Sequence, residues 1–259
     1  MGVAERGQAV STRAVSIPAS GGGVQGAAPP WVPDAIVRAC GEQDWAAALP
    51  PHAAGWRWQA GRRVKRALDV VLAAAALVVL APLFALIALA VRLGSRGPVL
   101  YEWRVLGERG RPFVGYKFRT MVTDADARKQ AILAHNEMSG PVFKMREDPR
   151  VTRVGRLLRK YSLDELPQLW SVVVGDMSLV GPRPVYPQEF AGFTPAQRAK
   201  LAVTPGITCL WQVSGRSEIT DFDRWIALDL EYIRRWSLWL DVRILARTVP
   251  AVLGGRGAY

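Results

Sequence analysis

Apolar residues are most concentrated between Val70 and Val91, where 22 consecutive residues carry no charge. One straight helix of that length would measure about 33 Å, which is enough to cross the hydrocarbon core of a bilayer. Pro82 lies in the middle of the run, where proline removes a backbone donor and bends a helix. The pattern therefore predicts a membrane helix that either spans the bilayer or breaks at Pro82.

Basic residues flank this run on both sides. Arg62, Arg63, Lys65 and Arg66 precede it, and Arg92, Arg96 and Arg104 follow it. Positive residues mark the cytoplasmic side of a membrane segment. A spanning helix would place one cluster outside, whereas a re-entrant hairpin keeps both inside. We therefore favour a re-entrant membrane helix over residues 61–96, with a spanning helix as the alternative.

The pattern that follows predicts an α/β, mostly helical globular domain over residues 97–259. Its strand-like stretches are Val99–Tyr101 and Phe113–Tyr116, and its helical stretches are 121–134, 151–160, 165–174 and Phe222–Ala246. The apolar face of the last helix either packs into the core or lies amphipathically at the lipid surface.

Residues 1–60 predict a flexible N-terminal tail, because Gly, Ala, Ser and Pro dominate their first half. Ser20–Gly23 and Pro29–Pro30 are the clearest flexible stretches, and Pro33–Leu49 is compatible with one short helix. The first 30 residues hold no apolar core of a signal peptide. We expect no chemistry from this region.

Lysine and arginine outnumber aspartate and glutamate by 34 to 22, which gives a net charge of +12. A basic surface suits nucleic acid, anionic lipid or phosphorylated small molecules, and charge alone does not choose among them. The uncharged run argues against a soluble nucleic-acid binder. The isolated Cys40, Cys209, His52 and His135 predict neither a disulfide framework nor a zinc site.

The candidate catalytic residues lie in Ser162–Pro167, which has the S-x-x-E pattern of a helix capping box. Asp164 and Glu165 would then fall in the first helical turn, where the positive helix end stabilises ionised carboxylates. An ionised aspartate is a competent nucleophile towards phosphorus. Ordinary capping is the alternative interpretation of this pair taken alone.

Basic residues surround the carboxylate pair in sequence. Arg159 closes a dense basic stretch before it, Arg183 lies in a Pro-Arg-Pro turn after it, and Lys117 and Arg119 lie further upstream. Arginine matches phosphate oxygens through paired hydrogen bonds. A nucleotide diphosphate beside two carboxylates needs such cations, and usually Mg²⁺, to offset repulsion.

Several long strings occur in an order that resembles the bacterial sugar transferase family, the monotopic phosphoglycosyl transferases. They are KFRTM, DPRVTRVGRLLRKYSLDELPQLW, GDMSLVGPRP, TPGITCLWQVSGRS and LDLEYIRRWSLWLD, and the match runs from about Lys65 to Tyr259. The resemblance implies a re-entrant membrane helix with a cytoplasmic catalytic domain, on the cytoplasmic face of the bacterial inner membrane. The LWQVSGR and WSLWLD strings are more like the exopolysaccharide branch than the glycoprotein branch.

The resemblance also implies a two-step mechanism. Asp164 would attack the β-phosphate of a UDP-sugar, release UMP and carry the phosphosugar until undecaprenyl phosphate takes it. Asp164 and Glu165 match the catalytic pair of the family and would lie close to Mg²⁺.

Five cationic residues are substrate-binding candidates. Arg159 and Arg183 match phosphate-binding arginines, and Lys117 matches a motif lysine near the active site. Arg119 belongs to the same KFRTM motif as Lys117. Arg216 is expected to help bind the nucleotide or the sugar.

Two positions depart from the usual family pattern. Ala81 precedes Pro82 where serine is common, and alanine has no hydroxyl to satisfy a backbone carbonyl freed at the bend. Cys209 stands where glycine is common. The first departure bears on the detail of the bend rather than on its existence.

The main alternative function is a non-catalytic membrane anchor that recruits later glycan-assembly enzymes. A polytopic phosphosugar transferase is disfavoured, because one apolar segment is too few for that fold. The donor sugar does not follow from the sequence: glucose, galactose and N-acetylated sugars stay open, with a mild preference for the first two. A homodimer is open as well.

Overall fold

The computed structural model describes residues 28–254, in which helices pack around two small sheets. The helices are α1 (Asp34–Glu42), α2 (Trp56–Val79), α3 (Ala81–Gly94), α4 (Ala125–Lys129), α5 (Arg153–Lys160), α6 (Leu169–Val174), α7 (Pro187–Ala191), α8 (Pro195–Arg198), α9 (Leu210–Val213), α10 (Phe222–Arg235) and α11 (Leu238–Leu253). The strands are β1 (Leu100–Leu106), β2 (Pro112–Phe118), β3 (Ser178–Val180) and β4 (Gly206–Thr208). This is the mostly helical α/β class predicted from the sequence. The Ser20–Gly23 stretch of the predicted tail lies outside the described residues.

Two consecutive helices carry the long apolar run. α2 and α3 are bent by 62° where they meet at Leu80. Pro82 lies in the first turn of α3, where its missing N–H costs no helical hydrogen bond. Among the described residues no single helix is long and apolar enough to cross a membrane. The bent pair of α2 and α3, taken together, is long and apolar enough. The bend lies beside Pro82, and both a broken span and a re-entrant loop fit it.

Each helix of this bent pair has one packed face and one uncovered face. Ala73 of α2 and Ile87 and Val91 of α3 are buried against the rest of the chain. The uncovered faces carry large apolar side chains, namely Leu68, Val71, Leu72, Val78, Val79, Leu86, Leu89 and Leu93. An uncovered apolar surface of this extent is typical of a membrane or protein contact.

A buried polar cluster also anchors α2 to the domain. Lys65 Nζ lies 2.7 Å from an oxygen of Asp241 and 3.7 Å from an oxygen of Asp69. The Ser178 hydroxyl donates to Asp69 at 2.7 Å, and the Tyr232 hydroxyl donates to Asp241 at 2.8 Å. The cluster therefore ties α2 to β3, α10 and α11.

The predicted strand-like stretches pair with each other. β1 and β2 form an antiparallel hairpin in which Leu100 lies opposite Phe118 and Leu106 lies opposite Pro112. β3 and β4 form a separate parallel pair. Aromatic and β-branched residues favour such paired positions, because their side chains pack well on a pleated surface.

Residues 28–60, which the flexible-tail prediction covered, are packed onto the domain. Ile36 and Cys40 of α1 are buried in one apolar cluster with Phe190 and Leu201. Gly110, at the turn between β1 and β2, has a φ of +73°, and a Cβ there would come within 2.2 Å of the Cys40 sulfur. The structure thus contradicts a flexible tail over residues 28–60, because α1 buries an apolar face. α1 lies within Pro33–Leu49, the stretch that the sequence showed to be compatible with one short helix.

The long final helix predicted over Phe222–Ala246 is two helices. Ser237 ends the continuity, because its side chain accepts a hydrogen bond from Leu240 N at 3.1 Å and so begins a new helix. Trp225 and Tyr232 of α10 lie in the core, whereas Trp239 of α11 is exposed. The core-packing interpretation therefore holds for α10. The helix predicted over 121–134 is also shorter, since α4 gives way to a 3₁₀ turn at Gln130–His135.

Candidate active site

Three segments of the chain bring a carboxylate and two cations together. Lys117 lies near the end of β2, Glu165 lies in a 3₁₀ turn spanning Leu163–Gln168, and Arg183 follows β3. Lys117 Nζ and Arg183 Nη1 donate to the same oxygen of Glu165, at 2.9 Å and 3.0 Å. The Trp103 ring lies beneath both cations, 3.8 Å from the Lys117 amine. The indole face stabilises cations held over it.

The loop that carries Arg183 is fixed on both sides. Leu106 N donates to Val185 O at 2.8 Å, and Gly206 N donates to Pro182 O at 3.0 Å. The prolines at positions 182 and 184 further restrict the backbone. The predicted stiff Pro-Arg-Pro turn is therefore anchored to β1 and β4.

The predicted capping box is absent. Ser162 has φ 52° and ψ 23°, which is a left-handed conformation, and its side chain caps no helix. Its hydroxyl instead accepts a hydrogen bond from Arg216 Nη2 at 2.5 Å. Asp164 and Glu165 still occupy the first turn, but of a 3₁₀ segment. The S-x-x-E pattern was misleading because a left-handed serine places its hydroxyl away from the following N–H groups.

The two carboxylates of the pair have opposite electrostatic environments. Burial alone would raise the pKa of Glu165, but the charges and hydrogen bonds of Lys117 and Arg183 outweigh burial and hold that pKa well below its usual value. Burial raises the pKa of Asp164, and the charge of Glu165 adds to the rise. Asp164 is therefore the more basic carboxylate, which suits a nucleophile.

Asp164 is half-buried, and its carboxylate accepts no hydrogen bond from the described residues. Lys117, Arg159 and Arg183 interact with it electrostatically. Its oxygens are thus surrounded by positive charge and available to a ligand.

Arg159 reaches the site from α5. Its Nε donates to the Thr120 hydroxyl at 3.0 Å, which fixes the guanidinium beside Asp164. α5 packs closely against Thr120 at Gly155. A Cβ on Gly155 would lie only 2.0 Å from the Thr120 carbonyl oxygen, so only glycine fits there. Thr152 caps the same helix by accepting from Gly155 N at 2.9 Å. The glycine and the cap thus set the position of Arg159.

Arg119 does not join the other candidates. Its guanidinium donates to the backbone oxygens of Ser95 and Arg96, at 2.8 Å and 2.7 Å, at the end of α3. β2 ends at Phe118, so the strand alternation that places Lys117 at the site does not extend to Arg119. The substrate-binding role predicted for Arg119 is therefore not supported, and its contacts anchor α3.

Arg216 lies close enough to Glu165 and Asp164 to interact with both electrostatically. Its backbone is left-handed, with φ 48°. Its Nη1 is buried and has no hydrogen-bond partner among the described residues. Since buried donors are nearly always satisfied, this N–H group is suited to an anionic ligand.

Lys144 is a site residue that the sequence motifs did not single out. Asn136 holds its loop, because the Asn136 side chain accepts from Lys144 N at 2.8 Å and donates to Val142 O at 3.0 Å. The Lys144 amine lies 4.8 Å from the centre of the Trp211 ring. Burial, followed by the charges of Arg183 and Arg216, lowers the pKa of Lys144 to about 7. The string GPVFK before DPR was the available signal, but it has no helical or strand periodicity.

Asp164 and Glu165 together could provide two protein ligands for a magnesium ion. Among residues 28–254 no group of three or more His, Cys, Asp or Glu side chains could hold a metal. Mg²⁺ is commonly held by one or two carboxylates together with substrate phosphates and waters. Asp164 and the second oxygen of Glu165, which no described residue hydrogen-bonds, provide two such ligands.

A carboxylate pair enclosed by cations, beside a bent apolar helix pair, is the arrangement expected of an enzyme that handles phosphorylated substrates near a membrane. A family model described as bacterial sugar transferase matches residues 60–255. The chain belongs to the bacterial sugar transferase family. The resemblance deduced from the sequence motifs, and with it the prediction of a transferase, is confirmed.

Individual relatives agree with this assignment. The chain is 48% identical over 162 residues to the galactosyl transferase CpsE of Streptococcus agalactiae, with 62% of this chain and 36% of the relative covered. It is 42% identical over 199 residues to the exopolysaccharide production protein ExoY of Sinorhizobium fredii, with 75% and 88% covered. It is 44% identical over 204 residues to the UDP-glucose:undecaprenyl-phosphate glucose-1-phosphate transferase of Caulobacter vibrioides, with 75% and 72% covered. The chain thus spans about a third of the length of CpsE but most of the other two.

Proposed function

We propose that this protein transfers a sugar 1-phosphate from a UDP-sugar to undecaprenyl phosphate and so begins the synthesis of an exopolysaccharide or another surface glycan. The Caulobacter relative, a UDP-glucose:undecaprenyl-phosphate glucose-1-phosphate transferase, supports the choice of donor and acceptor. The observation that carries the proposal is the asymmetry of the carboxylate pair: Glu165 is bound by Lys117 and Arg183, while Asp164 is available.

In the first step an Asp164 carboxylate oxygen attacks the β-phosphorus of the donor. A bond forms between that oxygen and the phosphorus, and the bond to the bridging oxygen of the α-phosphate breaks. The electron pair leaves with UMP, so no proton transfer is required. Lys117, Arg159 and Arg183 surround Asp164 and offset the charge that builds up on the phosphoryl oxygens.

In the second step a phosphate oxygen of the polyprenyl phosphate attacks the same phosphorus and frees Asp164. The products are a lipid-linked diphosphosugar and the original carboxylate. Donor and acceptor both present phosphate, so one set of cations serves both steps in turn. Mg²⁺ held by Asp164 and Glu165 would add positive charge against the donor diphosphate.

The acceptor is confined to the bilayer, so the site must lie close to the lipid headgroups. We place α2 and α3 in the cytoplasmic leaflet of the inner membrane as a re-entrant pair, with both basic flanks on the cytoplasmic side. The uncovered apolar faces of both helices support this placement. Exposed Trp170 and Trp239 are suited to the headgroup region.

A reconstituted assay tests this function. Detergent-solubilised protein receives undecaprenyl phosphate, Mg²⁺ and a panel of UDP-sugars labelled in the sugar, beginning with UDP-glucose and UDP-galactose. We expect label in the lipid phase, UMP release in equal amount, and loss of both with Asp164→Asn. Asp126→Asn removes an exposed carboxylate of α4 and is the matched control.

A non-catalytic anchor predicts the opposite result. Cells carrying Asp164→Asn would then make the surface glycan normally, and no UDP-sugar would label the lipid. The oligomeric state stays a prediction, and chemical cross-linking in membranes tests the homodimer.

A further inference from the structure

A cavity of about 180 Å³ opens beside Glu165. The segment from Tyr161 to Leu169 forms one wall, and residues of α9 and α11 form the other. We call it the side cavity. A hydrogen bond of 2.7 Å between the hydroxyls of Thr208 and Thr248 holds α11 against it.

The lining of the side cavity is mostly apolar and includes several polar residues. The polar residues are Tyr161, Ser162, Glu165, Thr208, Gln212, Arg216 and Thr248. The apolar lining consists of Leu163, Leu166, Leu169, Ile207, Val213, Ala251 and Val252. The buried Nη1 of Arg216, which has no partner among the described residues, marks the part of the lining around Arg216 as a place for an anionic group. The shape of this lining therefore suits an amphipathic ligand with a charged head.

The apolar wall is continuous with the bent helix pair. Leu163 and Leu166 pack against the cluster that contains Ile87 and Val91 of α3. Leu169 is buried in the cluster that contains Ala73 of α2. Residues that line the side cavity thus share apolar clusters with residues of α2 and α3.

We propose that the side cavity receives the first isoprene units of the polyprenyl acceptor while its phosphate lies between Arg216 and Asp164. This inference rests on the proposed function. Ligand pockets usually measure about 300–1,000 Å³, so a smaller cavity suits the start of a long chain whose remainder stays in the bilayer.

The nucleoside of the donor is the competing occupant, and the lining disfavours it. A uracil and a ribose require several hydrogen-bond partners, because unpaired polar groups are costly to bury. The Thr208 and Thr248 hydroxyls are bonded to each other, and the Gln212 amide oxygen accepts from the Cys209 thiol. Most of the remaining wall is hydrocarbon.

Substitutions that fill the side cavity test whether it binds the acceptor, because they should weaken acceptor binding more than the reaction with the donor. Ala251→Trp places a large ring into the cavity from α11, and Ala251→Leu fills it partly. Val249→Trp makes the same change at a position of α11 that is 58% exposed and does not line the cavity. Two quantities are measured for each protein: UMP released from UDP-sugar without acceptor, and the KM for undecaprenyl phosphate during turnover.

We expect Ala251→Trp to raise the KM for undecaprenyl phosphate roughly 10-fold or more, since filling an apolar pocket removes contacts of that value. Ala251→Leu should give an intermediate rise and Val249→Trp none. Val249→Trp should release UMP without acceptor at the rate of the unchanged protein. In the two Ala251 variants that release, which also reports correct folding, should fall by a much smaller factor than the KM for undecaprenyl phosphate rises.

Three results would contradict these proposals, and each identifies which proposal fails. A higher KM for the UDP-sugar in Ala251→Trp would place the nucleoside in the cavity. An unchanged KM for the acceptor in both Ala251 variants would exclude the cavity from acceptor binding. Absence of UMP release and lipid product from the unchanged protein would contradict the proposed function itself, on which the cavity assignment depends.

Discussion

The amine of Lys117 lies 2.9 Å from Oε1 of Glu165, and this ion pair leaves the adjacent carboxylate available. Arg183 binds the same oxygen of Glu165 at 3.0 Å. Neighbouring carboxylates that share one site ordinarily raise each other's pKa. Here Lys117 and Arg183 keep Glu165 ionised, and burial followed by the charge of Glu165 raises the pKa of Asp164.

Removing Lys117 should change the acid side of the pH–rate profile. The charge of Lys117 lowers the pKa of both Glu165 and Asp164, so Lys117→Met should raise both values. As the pH falls, the ionised form of the nucleophile Asp164 would then be lost at a higher pH. We expect the acid limb of kcat/KM for the donor to move to higher pH.

The measurement is UMP release between pH 4 and pH 8. Arg104→Met removes an exposed ion pair with Glu102, whose nitrogen and oxygen lie 3.1 Å apart, and is the control. An acid limb that stays in place in Lys117→Met would contradict the pairing.

Lys144 should give the donor reaction a basic limb. Burial, followed by the charges of Arg183 and Arg216, lowers the pKa of Lys144 to about 7, against a weaker opposing effect of Glu137. The protonated amine would bind donor phosphate better than the neutral amine. The kcat/KM for the donor should therefore fall as pH rises through about 7.

Two variants check this assignment. Lys144→Arg keeps its charge across this range and should lose the limb, whereas Lys144→Met should be slower below about pH 7, should match the unchanged protein above it, and should also lack the limb. A limb that persists in both variants would assign the titration to another group.

The Lys65–Asp241 pair should contribute strongly to stability. Lys65→Met leaves the Asp241 carboxylate buried with only the Tyr232 and Trp236 donors. Breaking a buried pair from one side costs about 3–5 kcal/mol. The double variant Lys65→Met/Asp241→Asn should lose less than the single variant, because no charge is then left buried at that position.

Urea unfolding in detergent measures these differences. Arg235→Met disrupts an exposed pair with Glu231 and should change the free energy of unfolding by less than about 1 kcal/mol. Equal losses for the single and double variants would show that the charge of Asp241 is not the cause.

Topology can be tested with single cysteines. The native thiols give little background, because burial raises the pKa of Cys40 to about 11 and of Cys209 to about 12. With a re-entrant pair, Ala60→Cys and Arg96→Cys should both react with a membrane-impermeant maleimide in inside-out vesicles and neither in right-side-out vesicles. Val79→Cys, at an exposed apolar position, should react in neither.

Reaction of one flank in each vesicle type would instead establish a spanning helix. That result would move the basic residues on one side of the run to the periplasm.

The elements that the sequence predicted correctly are those that local patterns determine. Alternating apolar residues located the β1–β2 hairpin, and Pro82 located the bend between α2 and α3. The carboxylate pair and the Pro-Arg-Pro turn were found because each is compact in sequence.

Tertiary contacts decided what local patterns could not. The S-x-x-E pattern fits a capping box, but Arg216 draws the Ser162 hydroxyl away. The apolar spacing of α10 continues in α11 on the other side of Ser237. The sequence therefore resembled one helix, although Ser237 begins a new one. The position of Lys144 depends on a loop held by Asn136, which has no periodic signature.

The central claim concerns the role of Asp164, and a donor-only mass measurement tests it most directly. Protein with UDP-sugar and Mg²⁺, but without lipid acceptor, is digested under acidic conditions and its peptides are analysed. We predict a peptide containing Asp164 that carries the added mass of a phosphosugar, with fragment ions assigning the mass to Asp164, and none in Asp164→Asn. An unmodified peptide at saturating donor, in a preparation that loads undecaprenyl phosphate when it is added, would contradict the covalent route.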